Sequence, residues 1–335
     1  MTLDEDAAAF LRELNAAAEG GPGFAELGID AAREMSRALF TGFAPATEPA
    51  AASEDLTLDG RDGPIRARLY RPAGMIAAVG GAPLVLFLHG GGWALGDIDS
   101  YHELAGDLCA RSGVALLSVD YRLAPEHPFP AGLNDCIDSL RWVVRNAASL
   151  GVDPARLAVM GDSAGGNLAA VVAHRLHAGG ELALAVQYLI YPVLDVSRPH
   201  AAWPSRMDWG GGGYLLDRAA IDTTAAWYLP DETVRRDDPA VSPICIEDLT
   251  ALPPTLLIAA GHDPLRSENE AFAARLKAAG VPTRFRCFDG AIHAFLSFPQ
   301  LTTTQSARAW LAGAIRQDTG MQTRDNRSIT KEVKP

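Results

Sequence analysis

The sequence predicts an α/β fold with a mostly parallel central sheet flanked by helices. Two observations carry this. From Pro83 onward, short fully apolar runs alternate with amphipathic stretches of helical period, as when strands buried on both faces are joined by helical crossovers. The composition, 48% hydrophobic and 21% charged, belongs to a chain that buries a core and not to a disordered one. Length alone, 335 residues, allows about two domains, but α/β cores of this size also fold as one.

Residues 5–19 and 27–41 carry apolar side chains at helical spacing (Phe10, Leu11 and Leu14, then Leu27, Ala31, Met35 and Leu39). Gly20-Gly21-Pro22-Gly23 breaks any continuous helix between them. A Pro/Ala-rich connector spans 44–52. A hairpin is expected next, with Leu56 and Leu58 before the turn residues 59–63 and Ile65, Ala67 and Leu69 alternating after it. The expected buried strands are Leu84–Leu88, Val114–Val119, Leu157–Met160, Leu184–Ile190, Thr255–Ala260 and the more mixed Thr283–Phe288. Helices are expected near 99–112, 131–148, 164–178, 267–280 and 302–316. Segment 196–230 breaks the rhythm. It is rich in Trp and Gly, with one helical stretch near 218–228, and reads as an insertion above the sheet. The expected organisation is a catalytic domain over 51–316, a helical cap from residues 1–50 and the insertion, and a flexible tail over 317–335.

Charge narrows the partners. With 29 basic and 41 acidic residues the formal net charge is −12, which repels phosphate backbones and anionic bilayers. No nucleic-acid binding and no stable membrane insertion are expected. The N-terminus, MTLDEDAAAF, begins acidic and lacks the basic start and apolar stretch of a secretory signal. Cys109, Cys136, Cys245 and Cys287 show no metal-ligand or CxxC spacing. They read as buried free thiols in a reducing cytoplasm.

The strongest chemical signal is Gly161-Asp162-Ser163-Ala164-Gly165-Gly166, directly after an expected strand and opening an expected helix. This is G-x-S-x-G in the strand–turn–helix setting of a nucleophile elbow. Such a turn is tight enough to strain Ser163 and to exclude side chains at Gly161 and Gly165. A second motif, His89-Gly90-Gly91-Gly92-Trp93, follows the strand Leu84–Leu88. Glycines there are entropically costly unless backbone N–H groups must approach a ligand. The N–H groups of Gly91, Gly92 and Ala164 are the natural donors to an oxyanion, each worth about 3 kcal/mol. His89, inside the strand end, reads as structural in preference to catalytic.

A serine needs a base. Of the eight histidines, His174 and His177 fall on the helix behind the elbow, as solvated residues without further ligands for a metal. His293 follows the last expected strand, on the edge where open α/β sheets place their chemistry. Asp263 follows the preceding strand and is the orienting carboxylate. Asp289 is a rival, disfavoured because it lies too close in sequence to reach behind His293. His262 is a supporting candidate. The chain order Ser163, Asp263, His293 is that of one class of serine hydrolase. No metal or organic cofactor is called for. Trp93, Trp209 and Tyr214 are candidate substrate contacts, although any single cap aromatic is as well read as cap core.

These residues converge. The chain resembles the hormone-sensitive-lipase-like branch of the α/β-hydrolases, the bacterial carboxylesterases often called family IV. The matching pieces are residues 89–93, the stretch from Asp120 to Ala131 (DYRLAPEHPFPA), Gly161–Gly166, Asp263-Pro264-Leu265 and His293. The resemblance implies an α/β-hydrolase fold with a cap and a triad of Ser163, Asp263 and His293. It also implies Gly91 and Gly92 as oxyanion donors, a small-molecule ester substrate, and a homodimer, which is common in the family. Residues 121–130 read as support for the oxyanion loop. There are two departures. Ser267 stands where the family often has Asp, and Ala294 where Gly commonly follows the histidine. An amide, peptide or lactone would use the same triad, and plant receptors of this family keep the fold but lose the histidine, which is present here.

Overall fold

The computed structural model describes residues 2–42, 51–73 and 81–320 of the chain. The expected connector over 44–52 and the tail beyond residue 320 fall almost wholly outside them. Two helices come first, α1 (Glu5–Ala18) and α2 (Ile29–Gly42). The hairpin pairs β1 (Ala52–Gly60) with β2 (Gly63–Arg71), Gly60 opposite Gly63. Then come β3 (Ala82–Leu88), α3 (His102–Ser112), β4 (Ala115–Asp120), α4 (Ala131–Arg145), the single turn α5 (Ala147–Leu150) and β5 (Val152–Asp162). After them run α6 (Ala164–Ala173), β6 (Val186–Ile190), α7 (Pro204–Trp209), α8 (Arg218–Tyr228), β7 (Thr255–His262), α9 (Arg266–Ala278), β8 (Thr283–Ile292) and α10 (Thr302–Asp318).

The strands form one sheet in the order β1-β2-β4-β3-β5-β6-β7-β8. β1, β2 and β4 pair antiparallel, and from β4 to β8 every pairing is parallel. Strand alternation splits the core into two layers. Leu84, Leu86 and Leu88 of β3 face Leu133, Leu168 and Phe272 of α4, α6 and α9. Val85 and Phe87 face the side of α1, α3 and α10, with Phe10, Leu104, Leu108 and Leu311. Each such side chain contributes about 2 kcal/mol on burial. Because the strands from β3 onward run parallel, residues 89–93, Ser163, Asp263 and His293 leave the sheet at the same edge.

The N-terminal helices and the 196–230 segment meet the loops on that edge and each other. Phe40 stacks on Tyr101 and Phe298, Phe24 packs on Trp227, and Asn15 donates to the Gly213 carbonyl at 3.2 Å.

Several elements differ from expectation. The 196–230 segment holds two helices where one was expected. The extra one, α7, begins with Pro204 at a position that suits proline because no N–H is needed there. β8 runs through Asp289-Gly290 to Ile292, since pairing with β7 across a register shift overrides the Asp-Gly turn signal. Asp289 is therefore an exposed strand residue. α10 reaches Asp318, and Thr319 is buried with its hydroxyl donating to the Ile315 carbonyl, so the stretch read as tail starts later than residue 317. His177 is half-buried, and its Nδ1 accepts the Leu184 N–H at 2.8 Å. It caps a turn instead of facing solvent. All four cysteines are free, but only Cys109 and Cys136 are fully buried.

Candidate active site

β5 ends at Asp162 and α6 begins at Ala164, so Ser163 alone makes the turn. Its backbone sits at φ 53°, ψ −118°, a region costing about 1–3 kcal/mol that persists only when the surroundings impose it. They do. The Ser163 N–H donates to the Ile190 carbonyl at 2.9 Å, and its own carbonyl accepts from Asn167 and Val193. A Cβ on Gly161 would overlap the Gly165 carbonyl, and one on Gly165 would overlap the carbonyls of Leu88 and His89. Both positions must be glycine for the elbow to close onto β3.

The elbow presents the Ser163 Oγ 2.9 Å from His293 Nε2. On the far side of the ring, His293 Nδ1 lies 2.8 Å from Asp263 Oδ2. The other carboxylate oxygen, Oδ1, accepts the Leu265 N–H at 2.8 Å, which fixes the carboxylate plane. Asp263 is 1% exposed, His293 5% and Ser163 8%. Tyr191, at the end of β6, meets the His293 ring edge to face at 5.1 Å. Nothing in the sequence pattern marked Tyr191. Its signal is positional, since it directly follows a parallel strand as the other site residues do.

Residues 89–95 lie beside the elbow. Gly91 and Gly92 take φ of 115° and 59°, and the Gly91 carbonyl accepts the N–H groups of Ala94 and Leu95. His89 is fully buried. Its Nδ1 is 2.8 Å from the Gly90 carbonyl and its ring stacks on Tyr121 at 4.4 Å. Burial pushes its pKa down, as suits a neutral structural imidazole. The Tyr121 hydroxyl donates to the His89 carbonyl at 2.7 Å.

Sequence reasoning missed the part played by Asp162. Its Oδ1 accepts the Gly90 N–H at 2.7 Å and its Oδ2 accepts the Tyr101 hydroxyl at 3.1 Å. Complete burial pushes its pKa up to about 7, against the pull of those hydrogen bonds and of His293. The available signal was a carboxylate directly after a fully apolar strand, which must find partners when buried.

Of the candidate substrate contacts, Trp93 is buried and stacks flat on Tyr228 at 4.7 Å, which makes it packing beneath the loop. Trp93 is thus held by Tyr228 at the end of the 89–93 loop, about as buried as His293. Trp209 and Tyr214 are half-buried and gather around His262, the neighbour of Asp263, with ring centroids 4.5 and 5.9 Å from it. Charged residues including Arg33, Asp97 and Glu126 line a cleft of about 480 Å³, and Ser163 and His293 do not border it.

The two departures have local accounts. Ala294 adopts the left-handed conformation, φ 59°, ψ 13°, where glycine is free and alanine costs about 1 kcal/mol. Ser267 Oγ pairs with Ser205 Oγ at 2.5 Å, tying α7 to α9, while the Ser205 hydroxyl donates to the Pro264 carbonyl beside Asp263. Next to it, Glu268 forms a fully buried ion pair with Arg206 at 2.5 Å.

Among the described residues no group of three or more His, Cys, Asp or Glu side chains is placed to hold a metal ion. Nor is any helix there long and apolar enough to cross a membrane.

A family model described as alpha/beta hydrolase fold matches residues 85–297, which span the 89–95 loop, the elbow, Asp263 and His293. The chain belongs to that family. This hydrolase is 40% identical over 306 residues to an ethyl acetate hydrolase of Pseudomonas putida, covering 88% of this chain and 92% of that one. It is 42% identical over 254 residues to the carboxylic ester hydrolase LipN of Mycobacterium tuberculosis, covering 74% of this chain and 65% of LipN. Among solved structures it is similar to the ester-hydrolase EH1AB1 from the Lake Arreo metagenome, in complex with a bipyridine phosphonate derivative. The TM-score is 0.89 at 36% identity, over 95% of this chain and 100% of that one.

Proposed function

We propose that this carboxylesterase splits short-chain acyl esters through an acyl-enzyme on Ser163. The observation that carries the proposal is His293, within hydrogen-bond distance of Ser163 on one nitrogen and of Asp263 on the other. His293 takes the Ser163 proton as the oxygen attacks the ester carbonyl. Asp263 holds the ring in the tautomer that leaves Nε2 free to accept, and stabilises the imidazolium that forms. The N–H groups of Gly91, Gly92 and Ala164 receive the oxyanion. His293 then protonates the leaving alcohol, and water repeats the sequence on the acyl-enzyme. The residues of α1, α2 and 196–230 act as a cap, with Trp209 and Tyr214 beside the substrate. The names of the relatives support an ester over an amide or lactone, and four free cysteines support a reducing, cytoplasmic setting.

The test is a series of p-nitrophenyl esters of rising acyl length, with an anilide and a lactone, run on the protein and on Ser163→Ala. Short esters turn over fastest, and the variant loses about 10⁴–10⁶-fold in kcat while keeping its fold. Near-normal turnover by Ser163→Ala would refute the assignment. The presence of His293 favours this reading over a non-catalytic receptor, and an absence of turnover on every ester of the series would reverse that.

A further inference from the structure

We propose that Arg33, on helix α2, is a positioning residue for the oxyanion loop, so that docking of the N-terminal helices and readiness of the oxyanion hole are one event. The proposal rests on the reading of Gly91 and Gly92 as oxyanion donors. One guanidinium makes four hydrogen bonds. Its Nε donates to the Ala94 carbonyl and an Nη to the Ala124 carbonyl, both at 3.0 Å. The Nη groups also grip both oxygens of Glu126, at 2.8 and 2.7 Å.

The two carbonyls matter most. The Ala94 N–H closes the turn onto the Gly91 carbonyl, so holding Ala94 holds the turn that contains Gly91 and Gly92. The Ala124 N–H donates to the Trp93 carbonyl at 2.9 Å. Arg33 therefore bridges the two sides of a contact between the oxyanion loop and the loop after β4. A surface ion pair accounts only for the Glu126 half, and such pairs contribute little. Arg37, one turn along, shows what that alternative looks like. It is a mostly exposed arginine on Asp97 at 2.6 Å, with no carbonyl of the turn in its grip. Only a planar fork reaches all of Arg33's acceptors together, so lysine is not an equivalent. An oxyanion hole acts by having its donors in place before charge develops. Loosening this turn therefore weakens transition-state binding more than substrate binding.

The experiment uses the full chain and the variants Arg33→Ala, Arg33→Lys and Glu126→Gln, with rates normalised by active-site titration. Two quantities are read: kcat and KM for a short p-nitrophenyl ester, and the inhibition constant of an alkyl trifluoromethyl ketone, whose adduct with the serine carries an oxyanion. Arg33→Ala is expected to lower kcat about tenfold, less than losing a donor outright. KM stays within about twofold, and ketone affinity falls in step with kcat/KM. Arg33→Lys recovers little, and Glu126→Gln stays within about twofold of the parent. Wild-type kcat and ketone affinity in both Arg33 variants would overturn the proposal, as would equal losses in Arg33→Ala and Glu126→Gln. Should Ser163→Ala keep its activity, the esterase reading itself falls, whatever Arg33 does.

Discussion

The nucleophile elbow and the loop proposed to hold the oxyanion leave adjacent strands, β5 and β3. Both use glycines with no room for a Cβ, but the loop adds ties from three other parts of the chain. The elbow is fixed by exclusion. Its geometry depends on the missing side chains of Gly161 and Gly165, whose backbones touch where any Cβ would collide. The oxyanion loop is fixed by attachment. Asp162 holds Gly90, Tyr121 holds His89, Ala124 holds Trp93 and Arg33 holds Ala94. These ties come from β5, the loop after β4, and α2. Exclusion at the elbow is signalled by the glycines themselves, even where, as at Gly165, the excluding backbone belongs to another strand end. A loop fixed by attachment draws its specification from the whole chain.

Three substitutions probe that contrast, beginning with the largest effect. Asp263→Asn leaves the elbow intact but presents an amide to His293 Nδ1, favouring the wrong tautomer. kcat is expected to fall about 10⁴-fold with an unchanged melting temperature, as steady-state kinetics and thermal unfolding will show. A loss under tenfold would move the acid elsewhere. Gly165→Ala attacks exclusion directly. Its Cβ has no room against Leu88 and His89, so a loss of about 4 kcal/mol or more is expected in urea unfolding. Near-parent stability would mean that the elbow tolerates relaxation.

Asp162→Asn tests attachment and is the mildest. Burial raises the Asp162 pKa to about 7, whereas an unfolded aspartate titrates near ~3.9. Between those values the native state holds a proton that the unfolded state has released, so this group's contribution to stability falls as pH rises from about 4 to about 7. Asparagine is neutral throughout and abolishes that slope, while its carbonyl still accepts from Gly90. Urea unfolding at pH 5 and pH 8 should show a smaller difference in the variant than in the parent. An equal difference would assign the slope to another group, of which Glu268, also raised to about 7 by burial, is the nearest candidate.

The same contrast explains what the sequence disclosed. The strands, the elbow and Ser163, Asp263 and His293 were legible because apolar runs, glycine spacing and strand-end positions are local signals. The reach of β8 through Asp289-Gly290 was not, because sheet pairing overruled a turn signal. Nor was α7, too short for periodicity to reveal. The stacking of Trp93 on Tyr228 was not legible either, because a tryptophan beside a glycine-rich loop looks the same in sequence whatever it packs on. Asp162 and Arg33 went unseen because their partners lie 72 and 61 residues away, at Gly90 and Ala94.

The start of helix α1 is tied to residues 296 and 299 positions further along the chain. The Asp4 N–H donates to the Gly290 carbonyl at 3.1 Å, its carboxylate accepts the Thr303 hydroxyl, and Asp6 takes the Thr302 N–H at 2.6 Å. On the ribosome, where domains fold as the chain emerges, these ties of α1 cannot be completed until residue 303 has cleared the exit tunnel. The docking of α1 is thus completed late, against the strand that ends beside His293.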